Sequence, residues 1–367
     1  MSSRRSTIKD VATLAGVSIA TVSNVFSGSK PVNAKLRARV EKAARDLSYQ
    51  VDRAASQLRS GQTKVIGVLV PDLDDVFFTS LVSRLEVRAQ QDGYDVIVAS
   101  SRDDPALELS RLRALLGWRP SALVAVPCTD AVPVILADEA HRLPIVLADR
   151  VVTEGAIADT VTIDNREAGE IAARHLLAMG HRDIVIAASH LSVAPIRERI
   201  QGADAFLRRR TGRAAIVVEL GSNGERGAEH FANWLDRHAR PTAVLALTNV
   251  ITLAVLSAFA ARRIDVPEDI SIIGFDDYPW MSARKTALTA IRQPVDAMAQ
   301  AIWERLLARI GGNAAAPQPV VLNTSLQVRD SVRNLAAAKA GMAVETALGV
   351  EDPNADEQPD GELPAVH

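Results

Sequence analysis

Several polar side chains that could bind a small molecule come at or shortly after the ends of short apolar runs in this 367-residue chain. They are Asp75 after VLVP, Asp149 and Arg150 after IVLA, Thr248 and Asn249 after VLAL, and Asp276 and Asp277 after IIGF. A carboxylate accepts hydrogen bonds from two hydroxyl groups at once, and a guanidinium donates a bidentate pair. Because ligands of open α/β sheets bind beyond the carboxyl ends of strands, the pattern predicts a cleft for a small molecule. Asp277 and Arg150 could instead form a structural ion pair or cap helices.

The spacings of common catalytic and cofactor sites do not occur. The chain has no GxGxxG, GxxxxGKS/T, HExxH or GxSxG segment, and its seven histidines show no ligand spacing beside cysteine or carboxylate partners. His181 in GHRDI is expected to cap the end of the preceding helix. The single cysteine, Cys128, is expected to fill core space at a strand end. We therefore expect no catalytic residue, no metal site and no cofactor.

The apolar runs alternate with amphipathic segments from Lys64 onward. One series comprises KVIGVLV, DVIVAS, ALVAVP and PIVLAD, and a second, after residue 160, comprises VTI, DIVIAA, AIVVEL, TAVLAL and ISIIGF. This alternation predicts parallel sheets that are covered by helices on both faces. With late segments crossing back near Ala290 and Pro319, the pattern predicts two lobes around a cleft.

A second set of small polar side chains lies near the N-terminus, in TIKDVATLAGVSIATVSNVF, residues 7–26. Apolar spacing predicts one helix that ends at Gly16 and a second helix that Ser18 caps. The outward face of the second helix then carries Ile19, Ala20, Thr21, Ser23 and Asn24. Short side chains with hydroxyl and amide groups suit the major groove of DNA, although any small helical hairpin could show this spacing.

The charge distribution favours DNA binding over a small helical hairpin of another function. Residues 1–60 carry eleven basic and four acidic side chains, an excess of seven positive charges, whereas the whole chain has a net charge of −2. A basic segment on a slightly acidic chain is typical of phosphate binding.

The sequence has no run of about 18 uncharged apolar residues and no apolar secretory stretch at its start, so we expect no membrane segment and a cytoplasmic, nucleoid-associated protein.

The same segments resemble a known family. TIKDVATLAGVSIATVSNVFSG, RVEKAARDLSYQ and RAASQLRSG resemble the headpiece of the lac repressor (LacI/GalR) family of bacterial transcription regulators. VLADR, TIDNREAGEIAARHLLAMGHR, VPEDISIIGFDD and ALTAIRQP resemble the regulatory core of that family, in order and at its spacing, so the resemblance covers about residues 7 to 333. It implies an all-α helix-turn-helix headpiece followed by an α/β core with parallel sheets and two lobes, similar to periplasmic binding proteins.

The resemblance also implies a set of DNA-contacting residues. Three of them would face base edges, namely Ile19, Ala20 and Asn24, and four would hold phosphates, namely Thr7, Thr21, Ser23 and Lys30. The whole expected set is Thr7, Ser18, Ile19, Ala20, Thr21, Ser23, Asn24, Lys30, Asn33, Ala55 and Leu58.

In this family a hinge helix folds on DNA, and one leucine from each chain wedges into the minor groove. Leu58, in DRAASQLRS, stands at that position. The family usually has Pro-Asn where this chain has Val51-Asp52, and Gly where it has Ser48, so a plain linker is the alternative for this segment.

For the cleft, the resemblance points to Asp276 and to Arg199 in RERIQG as the main effector contacts. The expected effector set is Asp276, Arg199, Asp149, Thr248, Asn249, Phe77 and Asp75. Relatives commonly have Asn-Asp where this chain has Thr248-Asn249, which indicates a different effector from the best-known sugars. VLADR and GFDDYPW are similar to relatives that respond to gluconate-like compounds, so a sugar or sugar acid is expected. Trp280 could lie over the cleft or pack between the lobes.

The expected organisation is a headpiece at residues 1–50, a hinge helix and linker at 51–63, and a core at 64–334. Within the core, the N-lobe comprises residues 64–160 and 291–319, and the C-lobe comprises 161–290 and 320–334. Residues 335–367 carry seven acidic side chains and one basic side chain, which predicts a disordered acidic tail. The tail has no sustained heptad pattern, so a homodimer is expected rather than a tetramer.

Together these features predict a repressor of carbohydrate or sugar-acid genes that binds double-stranded palindromic operator DNA under the control of a small effector. The alternative from another class is a periplasmic-type sugar-binding receptor without a DNA role. An enzyme on the same sheets is a third possibility, which the missing catalytic motifs disfavour.

Overall fold

The structure, a computed structural model, describes residues 6–27, 30–49, 63–151 and 155–337. It forms two compact units, Met1–Lys64 and Val65–His367. The expected hinge residues Ala55 and Leu58, and residues 338–367 of the expected tail, lie outside the described residues. Residues 335–337, which were expected to be disordered, are helical, and the Leu335 backbone N–H donates to the Met179 carbonyl oxygen at 2.8 Å. In the part of the chain that is described, no helix is both long and apolar enough to cross a membrane.

The N-terminal unit contains three helices, α1 (Ile8–Ala15), α2 (Ile19–Ser27) and α3 (Ala34–Asp46). The Thr7 hydroxyl and the Asp10 carboxylate form a capping box at the start of α1, and Gly16 ends α1 with φ +60°. Apolar side chains of all three helices form one small core, with Val11, Val22 and Val40 fully buried. The Tyr49 ring packs on this core.

Ser48 shows how the third helix ends without the family's usual glycine. The residue has φ +47°, in the left-handed region that glycine adopts without strain. Its backbone N–H donates to the Arg45 carbonyl oxygen at 3.0 Å, and the Tyr49 N–H donates to the Ala44 carbonyl oxygen at 2.8 Å. The helix therefore has a left-handed ending, with some strain in place of a glycine.

The first sheet of the core has six strands, all parallel, in the order β11-β5-β4-β3-β1-β2. Its strands are β1 (Val65–Val70), β2 (Asp95–Ser100), β3 (Ala122–Ala125), β4 (Ile145–Ala148), β5 (Asp159–Ile163) and β11 (Pro319–Leu322). Helices α4 (Val76–Gln91), α5 (Pro105–Gly117), α6 (Val134–Glu139) and α12 (Val295–Ile310) belong to this lobe. All residues of β1, β3 and β4 are buried, as expected for a parallel sheet covered on both faces.

The second sheet has the order β12-β10-β9-β8-β6-β7 and is parallel except for the antiparallel pair β10–β12. Its strands are β6 (Ile184–Ala188), β7 (Ile216–Glu219), β8 (Ala243–Ala246), β9 (Ser271–Phe275), β10 (Thr289–Arg292) and β12 (Ser325–Gln327). Its helices are α7 (Asn165–Ala178), α8 (Ala194–Thr211), α9 (Gly224–Arg237), α10 (Asn249–Arg262) and α11 (Pro279–Ser282).

The predicted lobe boundaries were wrong, because each of them divides a strand that the structure keeps whole in one sheet. Strand β5 lies wholly in the first sheet, so the first crossing follows Ile163 rather than residue 160. Strand β10 stays in the second sheet up to Arg292, and β11 belongs to the first sheet up to Leu322. Apolar patterning reports that a strand is buried, but the sheet that it joins depends on long-range pairing.

His181 also differs from its predicted role. Its ring Nε2 lies 3.0 Å from the Arg333 carbonyl oxygen, so the side chain joins the last segment of the core to the second lobe. Its backbone N–H, not its ring, bonds the preceding helix, at the Leu176 carbonyl oxygen. Burial lowers the pKa of the His181 imidazole, which favours the neutral ring in this position.

Candidate functional site

The exposed face of α2 carries the residues that the sequence predicted for DNA contact. Ser18 Oγ accepts a hydrogen bond from the Thr21 backbone N–H at 3.1 Å and therefore caps the helix, and the two hydroxyls lie 2.9 Å apart. Ile19 is 41% exposed, Ala20 is exposed, and Ser23 and Asn24 are half-buried. The start of α2 therefore carries short, uncharged side chains, with amide and hydroxyl groups along one side.

The elements around α2 hold it in place and supply polar and basic groups. Asn33 Oδ1 accepts from the Lys35 backbone N–H at 2.9 Å, so Asn33 caps α3, and Lys30 is exposed. Arg39 Nη2 donates to the Ala15 carbonyl oxygen at 2.6 Å and joins α3 to the turn before α2. The sequence alone does not indicate this role of Arg39, because no local pattern links residues 24 positions apart.

A cavity of about 310 Å³ lies between the two lobes of the core, at the carboxyl ends of the strands. It is lined by six of the seven residues predicted for effector binding, namely Asp75, Phe77, Asp149, Arg199, Thr248 and Asp276. The predicted convergence of polar strand ends is therefore found in the structure. Gln293, Cys128, His190 and Ser222 also line the cavity and were not predicted there.

Arg199 lies in the wall of this cavity and is 4% exposed. Its Nε donates to Asn165 Oδ1 at 2.9 Å and its Nη1 to the Leu247 carbonyl oxygen at 2.7 Å. The guanidinium carbon lies 3.8 Å from the centroid of the Phe275 ring, which fixes the plane of the group. Two donors of the guanidinium are therefore used for positioning, and its face toward the cavity remains for a ligand.

A close crossing of α7 and α8 sets the position of Arg199. A Cβ atom at Gly169 would lie 1.9 Å from the Arg199 carbonyl oxygen, and one at Gly202 would lie 1.9 Å from the Arg166 carbonyl oxygen. Only glycine permits this approach of the two backbones. The crossing brings Arg199 against Asn165, at the start of α7.

Asp276 and Asp149 enter the cavity from opposite lobes, each from a left-handed residue at the end of a strand. Asp276 has φ +80° and Asp149 has φ +58°. The Asp276 carboxylate accepts from the Asn249 backbone N–H at 3.1 Å and from Gln293 Nε2 at 2.6 Å. Burial raises the pKa of both carboxyl groups, and the charge of Arg199 opposes that shift in each case.

Asn249 is the predicted effector residue that the structure places elsewhere. It is 5% exposed and is not part of the cavity lining. Its backbone N–H holds the Asp276 carboxylate, so its position supports the site from behind. The neighbouring Thr248 does line the cavity, and its hydroxyl caps α10 by accepting from the Ile251 N–H at 3.2 Å.

Asp75 and Phe77 stand together at the start of α4. Asp75 Oδ1 accepts from the Phe77 backbone N–H at 2.9 Å. Burial and, after it, the charge of Asp276 raise the pKa of Asp75 to about 6. The Phe77 side chain is 4% exposed and packs edge-on against Phe78, which gives the cavity one apolar wall.

Asp277 and Arg150 each form ion pairs, but not with each other, so the expected alternative of a pair between these two residues was wrong. Asp277 accepts from Arg292 Nε at 2.7 Å and pairs with Arg329 at 2.6 Å, and both contacts lie within the second lobe. Arg150 pairs with Asp103 beside the cavity. Trp280 packs against the apolar core of the second lobe and is not part of the lining, which favours the packing alternative.

One contact joins the lobes beside the cavity. Asp130, in the loop after β3, accepts from the Ala194 backbone N–H at 2.7 Å and pairs with Arg197. Val193, at the N-cap position of α8, provides no side-chain cap, so a residue of the opposite lobe caps this helix. Cys128, two residues before Asp130, is 5% exposed as expected for a residue at a buried strand end, but it also lines the cavity; burial raises the pKa of its thiol to about 12.

In the described residues, no group of three or more His, Cys, Asp or Glu side chains is placed to hold a metal ion.

Comparison with known proteins gives consistent matches for both units. Residues 7–52 match the family described as bacterial regulatory proteins, lacI family, and residues 173–332 match a periplasmic binding protein-like domain. The HTH-type transcriptional regulator PtxS of Pseudomonas putida is 32% identical over 332 residues, which cover 90% of this chain and 96% of that protein.

Two solved structures extend these matches. The Lac repressor dimer bound to operator and the anti-inducer ONPF is 28% identical, with a TM-score of 0.80 over 90% of this chain and 100% of that chain. The complex of the transcriptional regulator CelR with cellobiose is 27% identical, with a TM-score of 0.66 over 89% of this chain and 100% of that chain. Relatives of this identity, matched along nearly their whole length, show that the protein belongs to the lacI family of DNA-binding transcriptional regulators, with a helix-turn-helix unit for DNA and a two-lobed core for an effector.

Proposed function

We propose that this protein is a homodimeric repressor that binds a palindromic operator and responds to a sugar or sugar acid bound in the cleft. The observation that carries the proposal is the cavity between the lobes, where Arg199, Asp149 and Asp276 are held with hydrogen-bonding capacity directed at a ligand. The similarity to the Lac repressor dimer on its operator supports the dimer and the DNA partner. We place this activity in the cytoplasm, at the nucleoid.

We assign the reading of DNA bases to the start of α2. Ile19 and Ala20 are exposed and short enough to let the helix approach the floor of the major groove. Asn24, one turn later, would read a base edge with its amide. Thr7, Thr21, Ser23 and Lys30 would hold phosphates, together with the exposed basic side chains of α3.

The charged groups of both lobes would recognise the polar groups of the effector. Asp149 and Asp276 would accept from ligand hydroxyls, and Arg199 would donate to a ligand oxygen. Phe77 offers an apolar surface for the carbon face of a sugar ring. The cavity of about 310 Å³ is at the small end for ligand sites, which suits a molecule of monosaccharide size. The CelR complex with cellobiose supports a carbohydrate ligand for this cleft.

Effector binding and DNA binding would be coupled through the arrangement of the two lobes. An effector that contacts Asp149 of the first lobe and Asp276 of the second binds most tightly when the lobes are closed. A ligand shifts such an equilibrium by the difference between its affinities for the two arrangements. The Asp130 contact with Ala194 and Arg197 also joins the lobes and would favour the same state.

The test is to select duplex DNA that the full-length chain binds from a random library, and then to titrate sugars and sugar acids against the complex. The expected result is a palindromic sequence together with one ligand that changes the operator affinity. Asp276→Asn should keep operator binding and lose the ligand response by about tenfold or more, since charge-assisted hydrogen bonds are worth roughly 1.5–3 kcal/mol.

Asp104→Asn is a matched control, because Asp104 is an exposed carboxylate at the start of α5 and outside the cavity lining. It should retain both activities. If no duplex is enriched although a sugar binds, the sugar-binding receptor becomes the better description, and a selected sequence without two-fold symmetry would contradict the dimer.

A further inference from the structure

The charges that line the cleft are unbalanced. Five aspartates and two arginines line it, so carboxylates outnumber guanidinium groups by three. Arg150 is paired with Asp103. Arg199 uses two of its donors for Asn165 and the Leu247 carbonyl oxygen, and its charge acts on both Asp149 and Asp276.

Two carboxylates of the first lobe have few donors of their own. Asp149 is 8% exposed, lines the cavity, and receives no side-chain hydrogen bond from any described residue; the groups that act on its carboxyl are charges, those of Arg199, Arg150 and Asp75. Asp75 accepts only the backbone N–H of Phe77. Asp276, from the second lobe, is better supported, by Gln293 Nε2 and the Asn249 N–H. A buried carboxylate without a partner is costly in free energy. When it faces a cavity, a ligand that brings a hydrogen-bond donor, and preferably a cation, removes this cost.

The electrostatic environment agrees with this geometry. Burial raises the pKa of Asp75, Asp149 and Asp276, and each of them is raised further by at least one of the others. Around Asp75 stand Asp72 on its own loop, Asp149 and Arg150 after β4, and Asp276 and Tyr278 after β9. A second negative charge brought by a ligand would increase this repulsion, and a positive charge would relieve it.

We propose that the effector is a polyhydroxylated amine of monosaccharide size, an amino sugar or aminocyclitol, whose protonated amine lies between Asp75 and Asp149. This inference rests on the proposed effector site and specifies its ligand. Arg199 and Asp276 then contact the hydroxyl groups of the same molecule. The excess of carboxylates favours this class over the hexonate-type sugar acid that the resemblance suggested.

The test compares ligands that differ in one group. Calorimetry on the full-length chain at pH 7.0, with EDTA present, would use glucosamine, glucose and gluconate, and the matched galacto and manno series. In the series with the right stereochemistry, the amine should bind about tenfold or more tightly than the neutral sugar, and the acid most weakly. Amine binding should also tighten between pH 5 and pH 7, as Asp75 ionises with its pKa of about 6.

Asp75→Asn should reduce the ratio of amine to neutral-sugar affinity, because the acceptor remains and the charge is lost. Asp104→Asn, the exposed carboxylate of α5, should keep the wild-type ratio. The inference is overturned if the amines bind no more tightly than the neutral sugars in every series, or if an acid binds best. In either case, a ligand that still changes operator affinity would leave the proposed function standing, whereas loss of any DNA selectivity would remove the proposed function itself.

Discussion

Replacing Asp75 by asparagine should stabilise the core, and the gain should increase with pH. Asparagine keeps an oxygen that can accept from the Phe77 N–H, which Asp75 bonds at 2.9 Å. What it removes is a charge that the folded protein disfavours, because burial and Asp276 raise the pKa of Asp75 from 3.8 to about 6. The folded state therefore holds this proton more tightly than the unfolded state does.

The sign of the pH dependence follows from that difference. The stability that comes from protonated Asp75 is present below about pH 4 and is lost as the pH rises to about 6. A shift of about two pKa units corresponds to about 3 kcal/mol at 1.36 kcal/mol per unit. Loss of a negative charge at a helix N-terminus offsets up to about 1 kcal/mol of this gain. The expected gain is about 2 kcal/mol at pH 7 and less than about 1 kcal/mol at pH 4.5.

Urea unfolding followed by tryptophan fluorescence measures this quantity for the core alone. All four tryptophans lie beyond residue 64, at positions 118, 234, 280 and 303, so the signal excludes the N-terminal unit. Asp104→Asn makes the same chemical change at an exposed helix start and should alter the free energy of unfolding by less than about 0.5 kcal/mol at either pH. An Asp75→Asn effect that is destabilising at pH 7, or equal at both pH values, would refute the electrostatic argument.

Three further outcomes are expected. Asn24→Ala should lose roughly 1–3 kcal/mol of preference for operator over random DNA in a competition gel shift, and an equal loss on both would contradict base reading. Asp130→Asn should raise the effector Kd roughly two- to fivefold, since a partly exposed ion pair contributes up to about 1 kcal/mol. Asp204 accepts hydrogen bonds from similar donors within one lobe, so the control variant Asp204→Asn should not change the effector Kd. Ser48→Gly should stabilise α3 by about 1 kcal/mol by relieving a left-handed backbone, seen as slower amide exchange, and unchanged exchange would show that the φ of +47° carries no strain.

The local features of the chain were accessible from sequence because short-range chemistry determines them. Gly16 and Ser18 mark helix ends, and the structure confirms both. The period of apolar residues identified the buried strands of both sheets, and it therefore located the strand ends where Asp149 and Asp276 stand. Whether these residues bind the effector stays a prediction.

The partners of those residues were decided by the tertiary structure. Sheet membership of β5 and β11 depends on which strands lie alongside, and the apolar period is the same in either sheet. Asp130 caps a helix 64 residues away in the other lobe, and Asn249 turns its backbone rather than its side chain to the site. Patterns along the chain report burial and turn chemistry within a few residues. The balance of charge in the cleft arises only when two lobes bring distant carboxylates together, and the proposal of an amine within the expected class of sugars and sugar acids rests on this balance.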